Sequence, residues 1–170
     1  MDAIVYVSET GFTKKYAEML SAELDVQAMT LKDAANKLSK GSEIIYMGWV
    51  SAGFIKGLSK AMRLYEVKAV GGVGMGRYTE KNQNNLVKQN KLADLPAFYL
   101  QGGFDMGKLR GFNKVAMKIM GKVVASSIKN GKESMMPKEQ AEEMLDAIRH
   151  SKDYVSADKL QPMLERCKTL

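Results

Sequence analysis

An apolar run, Ala3-Ile4-Val5-Tyr6-Val7, breaks directly into Ser8-Glu9-Thr10-Gly11-Phe12-Thr13 and then turns helical. A strand ending in hydroxyls around a glycine, at the first strand–helix junction, is a composition suited to holding a phosphate. The hydroxyls of Ser8, Thr10 and Thr13 can donate to phosphate oxygens. Gly11 lets the backbone bend so that successive N–H groups converge, and the positive end of the helix adds to the attraction. The loop lacks the lysine of a G-x-x-x-x-G-K-[ST] motif, and the chain has no G-x-G-x-x-G. A lysine-free cradle of hydroxyls and amides suits a small phosphomonoester better than a triphosphate. The plainer alternative is a helix N-cap enriched in serine and threonine.

Beyond this junction, strand and helix signals alternate with short connections, the pattern of a parallel sheet wrapped by helices. Strands are expected at 3–7, 26–31, 43–49, 67–73 and 97–101. Helices are expected at 13–24, 32–38, 57–65 and 81–92. A fifth helix repeats Phe112, Val115, Ala116, Ile119, Met120, Val123 and Val124 at intervals of three and four, so that face is expected to be core. Lys129–Pro137 reads as a loop. Ala141, Met144, Leu145 and Ile148 form one further stripe. Leu160, Met163, Leu164 and Cys167 form another, with Pro162 in or near its first turn. The expectation is an α/β doubly wound sheet of five parallel strands, order 2-1-3-4-5, with helices on both faces. At 170 residues it reads as one domain, with its core over about 1–150 and a helical extension over about 151–170.

Single copies of cysteine (Cys167) and histidine (His150) argue against a disulfide, a cysteine metal cluster, a multi-histidine metal site and a Ser-His-Asp hydrolase. Cys167 completes an apolar stripe, and His150 suits the C-terminal end of a helix. Met1-Asp2 leads straight into the first strand without a signal-peptide pattern, and the run from Ile44 to Ile55 is too short to span a bilayer. The cytoplasm is the expected compartment.

In a doubly wound sheet the ligand lies beyond the C-terminal strand ends, near the switch in strand order. The loops after strands one, three and four then share an edge. After strand three comes Gly48-Trp49-Val50-Ser51-Ala52-Gly53-Phe54, and after strand four Gly74-Met75-Gly76-Arg77-Tyr78. Glycines there let the backbone approach a flat ring, and Trp49, Val50, Phe54, Met75 or Tyr78 could cover its faces. For Trp49, Arg77 and Tyr78, packing against the protein is an equal alternative. A phosphate pocket beside two such loops fits a mononucleotide with a large planar head.

Here the chain resembles the flavodoxin family. Residues 8–13 look like that family's S/T-x-T-G-x-T loop for the phosphate of FMN, and residues 49–53 and 74–78 fall where the family grips the isoalloxazine ring. Ala97-Phe98-Tyr99-Leu100-Gln101-Gly102-Gly103-Phe104, followed by a basic Met-rich helix, is similar to the flavodoxin-domain branch that includes menaquinone-dependent protoporphyrinogen dehydrogenase. The long loop insertions of long-chain flavodoxins have no room in this sequence.

The resemblance implies FMN as cofactor. Ser8, Glu9, Thr10, Gly11, Phe12 and Thr13 would hold its phosphate; Trp49, Val50, Ser51, Ala52, Gly53, Gly74, Met75, Gly76 and Arg77 would flank its ring. It implies electron transfer in which the protein supplies position and electrostatics, with no catalytic acid or base. A peptide flip beside the ring is a family behaviour, and Gly53, Gly74 and Gly76 are most able to make it.

The formal net charge of +7 lies wholly in one segment. Between Gly107 and Lys132 stand seven basic residues and no acid, leaving 26 − 7 = 19 basic against 19 acidic residues elsewhere. Arg110, Lys114, Lys118 and Lys122 recur every four residues on helix five. Soluble flavodoxins that serve protein partners are typically acidic, so this stripe is either a solvated face or a dock. As a dock it would take an anionic membrane at the inner face, an acidic protein or an anionic substrate of porphyrin-carboxylate type. No nucleic-acid reader motif accompanies the charge, and no nucleic acid is expected. The function classes that follow are an FMN oxidoreductase acting on a small molecule or quinone, an electron-transfer module serving a partner reductase, and a flavin-free flavodoxin-like interaction domain.

Overall fold

Runs of apolar residues that alternate faces become strands where both faces can be covered, and that is what the first hundred residues do. The computed structural model describes residues 1–129 and 138–170, apart from the side chains of Phe112 and residues 138–140. The loop expected after Lys129 lies outside them, as does the packing expected of Phe112. The chain forms two compact units, one comprising Met1–Gly102 and Tyr154–Leu170, the other Gly103–Asp153.

In the first unit, β1 (Ala3–Val7), β2 (Ala28–Thr30), β3 (Glu43–Ser51), β5 (Glu66–Gly74) and β6 (Ala97–Gln101) are parallel, in the order β2-β1-β3-β5-β6. This is the expected order of five parallel strands. A sixth strand corrects the count: β4 (Phe54–Ile55) pairs antiparallel with the end of β3. Strand two is shorter than expected at both ends, and at its C-terminal end this is because Thr30 caps a helix. Its hydroxyl accepts the Asp33 N–H at 3.1 Å, and α2 (Leu31–Lys37) starts at once.

Successive residues of β1 and β3 point to opposite faces, and each face has its own core. Ala3, Val5, Ile44 and Tyr46 pack with α2, α3 (Leu58–Leu64) and α4 (Glu80–Asn90), through Ala34, Ala61 and Leu86. Ile4, Tyr6, Ile45 and Met47 pack with α1 (Phe12–Leu24) and α7 (Ala157–Cys167), through Tyr16, Leu20, Met163 and Cys167. The helix α7 begins earlier than the sequence suggests, at the Ser156 cap, so Pro162 lies inside it rather than in its first turn. The outer edge of β6 is partnered by side chains: Gln83 donates to the Ala97 carbonyl at 2.7 Å and accepts the Tyr99 N–H at 2.7 Å, and the Tyr16 hydroxyl donates to the Gln101 carbonyl at 2.7 Å. A strand edge left open is an aggregation hazard, and these side chains supply part of the missing pairing.

The second unit closes on a two-residue antiparallel pair, β7 (Gly103–Phe104) with β8 (Lys152–Asp153). Between them run α5 (Gly111–Lys129) and α6 (Lys138–Arg149). Val124, Ala141, Met144 and Ala147 are buried, and Gly121 faces the Ile148 side chain. The expectation that the whole apolar face of helix five is core does not hold: Val115, Ile119, Met120 and Val123 are 47–58% exposed. At about 100° per residue Val115, Ile119 and Val123 project away from the arc holding Gly121 and Val124, and Met120 stands at its border. Periodicity identified the helix, but its apolar arc is wider than the strip that is covered.

Candidate functional site

The C-terminal ends of β1, β3 and β5 lie side by side, with Val7 opposite Gly48 and Trp49 opposite Val73. Three connections therefore leave the sheet at one edge. The first is the hydroxyl loop. Its helix is capped by Gly11, in the left-handed region at φ +96°, where only a residue without a Cβ is unstrained. The Ser8 hydroxyl accepts the Gly11 N–H at 3.2 Å, so it braces the turn rather than capping the helix. The first amides of an α-helix have no intrahelical acceptor, and a glycine cap has no side chain to fold over them. A Cβ built on Gly11 meets no atom within 4 Å. Ser8, Glu9 and Thr10 are half-buried, Phe12 packs in the core beside Tyr16, and Thr13 is buried. No acidic residue stands in the first turn.

The second connection departs from the sequence reading. Residues 49–51 continue β3 instead of forming a loop, and the chain reverses through Ala52 (φ +49°) and Gly53 (φ +84°). Two consecutive left-handed residues make a two-residue hairpin turn of the type that matches strand twist. Val50 pairs with Ile55, and Ser51 with Phe54. The hairpin is fastened from α4: Asn90 Nδ2 donates to the Gly53 carbonyl at 2.9 Å and to the Leu86 carbonyl at 2.8 Å, and its Oδ1 accepts the Ile55 N–H at 2.9 Å. Trp49 is half-buried with Lys56 Nζ 5.5 Å above its ring. Val50 packs on the core, and Phe54 is exposed.

The third connection runs from Gly74 through Tyr78. The Tyr99 hydroxyl donates to the Gly76 carbonyl at 3.0 Å, and Asn82 Nδ2 donates to the Arg77 carbonyl at 2.8 Å. A Cβ on Gly74 would come within 2.2 Å of the Tyr99 hydroxyl, so the close approach of that phenol demands glycine. Burial pushes the Tyr99 phenol up to about 12, which keeps it a donor at neutral pH. Met75 is half-buried; Gly76, Arg77 and Tyr78 are exposed. Of Gly53, Gly74 and Gly76 only Gly53 has positive φ.

The residues that fix these loops, Asn82, Asn90 and Tyr99, were not singled out by the sequence reading. Asn82 and Asn90 stand toward the two ends of α4, a helix rich in amides, which is their one sequence signal; Tyr99 lies on β6 and carries none. Residues 8–13, 49–53 and 74–77 do share one edge of one sheet. That edge presents a glycine-capped helix start with no side-chain cap, and two loops whose backbone is held by Asn90, Asn82 and Tyr99. Among the described residues no group of histidine, cysteine and carboxylate side chains could hold a metal ion, and no helix is long and apolar enough to cross a membrane. His150 follows α6, its N–H bonded to the Asp146 carbonyl at 2.8 Å, and Cys167 is buried in the α1–α7 core. The parallel order and two-sided helical cover are compatible with a flavodoxin-like fold. No family model, curated protein or solved structure matches the chain.

Proposed function

We propose that the unit formed by Met1–Gly102 and Tyr154–Leu170 is a flavodoxin-like module that binds FMN and passes electrons through it to or from a small molecule or quinone. The observation that carries this reading is the glycine cap. A glycine with left-handed φ at the first strand–helix junction leaves the first-turn amides of α1 uncovered beside the hydroxyls of Ser8 and Thr10. A phosphate monoester is the group such a cradle matches. In this reading residues 8–13 hold the phosphate, and the β3–β4 turn at Ala52-Gly53 and the strip Gly74-Met75-Gly76-Arg77 flank the ring. The flavin, when bound, supplies one- or two-electron transfer; the protein orients the ring and excludes water from it. Asn90 and Tyr99 hold the two flanking loops at fixed height.

A thermal-shift comparison of the apoprotein with FMN, FAD and NAD tests the assignment. The expected result is a clear rise in Tm with FMN and a smaller or absent one with the dinucleotides. A response to FAD or NAD with none to FMN would overturn it.

A further inference from the structure

The covering of α5 is incomplete in a patterned way. Val115, Ile119, Met120 and Val123 are all large, apolar and exposed. Lys114, Lys118 and Lys122 recur every four residues along one flank of that stripe, and Arg110 precedes it. Among the described residues no carboxylate pairs with Lys114, Lys118 or Lys122. An open groove of about 580 Å³ continues the patch toward α6, lined by Val115, Ile119 and Ile148 together with Lys118, Lys122 and Arg149. Scattered exposed aliphatic side chains need no explanation, but four on one face of one helix do.

Charge decides what can cover this face. The segment from Gly107 to Lys132 has seven basic residues and no acid, so a second copy laid face to face would set like charges against each other. A solvated face accounts for the lysines and not for the apolar stripe. A membrane-spanning role is excluded for α5 itself, because lysines interrupt it and no described helix meets the length and apolarity needed. An amphipathic helix with aliphatic residues on one face and lysines beside them is the arrangement that lies in the plane of a bilayer interface. There the apolar face enters the acyl boundary and the ammonium groups meet lipid phosphates.

We propose that α5 is a reversible docking helix for an anionic lipid surface, with Val115, Ile119, Met120 and Val123 entering the interface and Lys114, Lys118 and Lys122 pairing with headgroups. This inference does not depend on flavin binding, and its test needs no flavin.

The full chain is centrifuged with phosphatidylcholine vesicles, with and without one-third phosphatidylglycerol, at low and at 0.5 M salt. Binding is expected to the anionic vesicles only, and to be largely lost in high salt, where the screening length falls to a few ångströms. The triple variant Lys114→Gln, Lys118→Gln, Lys122→Gln should bind roughly 100-fold more weakly, at about one lysine's worth of attraction each. The variant Ile119→Ser, Val123→Ser keeps every charge and should also lose binding by tenfold or more. Lys118, Ile119, Lys122 and Val123 are exposed and Lys114 is half-buried, and circular dichroism checks that both variants keep the fold. No sedimentation of the wild-type chain with anionic vesicles at low salt would overturn the proposal. So would binding that the serine variant leaves unchanged, since the stripe would then be merely basic. If vesicles fail while poly-glutamate forms a salt-sensitive complex, the face docks acidic protein and the lipid assignment is wrong.

Discussion

Asn90 Nδ2 donates to the Gly53 carbonyl and Asn90 Oδ1 accepts the Ile55 N–H, each at 2.9 Å. One side chain from α4 therefore fastens both arms of the β3–β4 hairpin across its left-handed turn. Replacing Asn90 by alanine leaves a half-buried donor and acceptor without their partner. The expected cost is about 1–3 kcal/mol. Urea denaturation should show it, and hydrogen exchange at the Ile55 amide should quicken more than exchange in the centre of β1.

Tyr99 bears on the loop from Gly74 to Tyr78. Its pKa is raised by burial to about 12, above the value of about 10 for a free phenol. A group whose folded pKa is raised contributes stability that is intact below the unfolded value and is lost as pH rises through the folded one. Stability should therefore hold to about pH 10 and decline from there to about pH 12. A phenolate can no longer donate to the Gly76 carbonyl. In Tyr99→Phe the ultraviolet titration should lack one late phenol, the alkaline loss should be smaller, and stability at pH 7 should fall by about 1 kcal/mol.

The two apolar stripes that look alike in sequence should respond differently to truncation. Met163 of α7 is fully buried between α1 and the sheet, whereas Met120 of α5 is exposed. Met163→Ala should cost about 2–5 kcal/mol through the cavity it leaves, and Met120→Ala should lie within about 0.5 kcal/mol of the parent. Thermal denaturation of the two variants side by side measures the difference.

The contrast also marks where sequence reasoning stops. Buried parallel strands write themselves as apolar runs, so β1, β3, β5 and β6 and their order were legible. The edge holding residues 8–13, 49–53 and 74–77 followed from that order. The sixth strand was not legible. It is two residues long, and its turn places Ala52 in a conformation where glycine or asparagine is the usual signal. A periodic stripe shows that a helix has an apolar face but not what covers it, and this is why the faces of α5 and α7 were not distinguished. Asn90 and Tyr99 were illegible for a related reason: the loop groups they bond, the Gly53 carbonyl and Ile55 N–H for one and the Gly76 carbonyl for the other, are distant in sequence, and no motif records such a pairing.

Cys167 should behave as a core residue rather than a reactive thiol. Burial pushes its pKa up to about 11 against a smaller opposing effect of Arg166. Because the thiolate is the reactive form, a disulfide reagent at pH 8 should label the native protein slowly. In 6 M guanidinium labelling should be complete within minutes. Rapid labelling of the native chain would mean that α7 opens readily.

The central claim is that the loop opening α1 holds the phosphate of FMN, and a fluorescence titration tests it most directly. Flavin emission is followed as apoprotein is added, for the parent chain, for Thr10→Ala, and for Thr10→Ala combined with Thr13→Ala. Thr13 is buried, so circular dichroism of the double variant must first show an intact fold. The parent chain should bind one FMN per chain. Each lost hydrogen bond to a charged phosphate is worth about 1.5–3 kcal/mol, so the double variant should bind roughly 100- to 10,000-fold more weakly. Thr10→Ala should fall between. A folded parent chain that binds no FMN, or FMN affinity that stays within threefold in the folded double variant, would contradict the account.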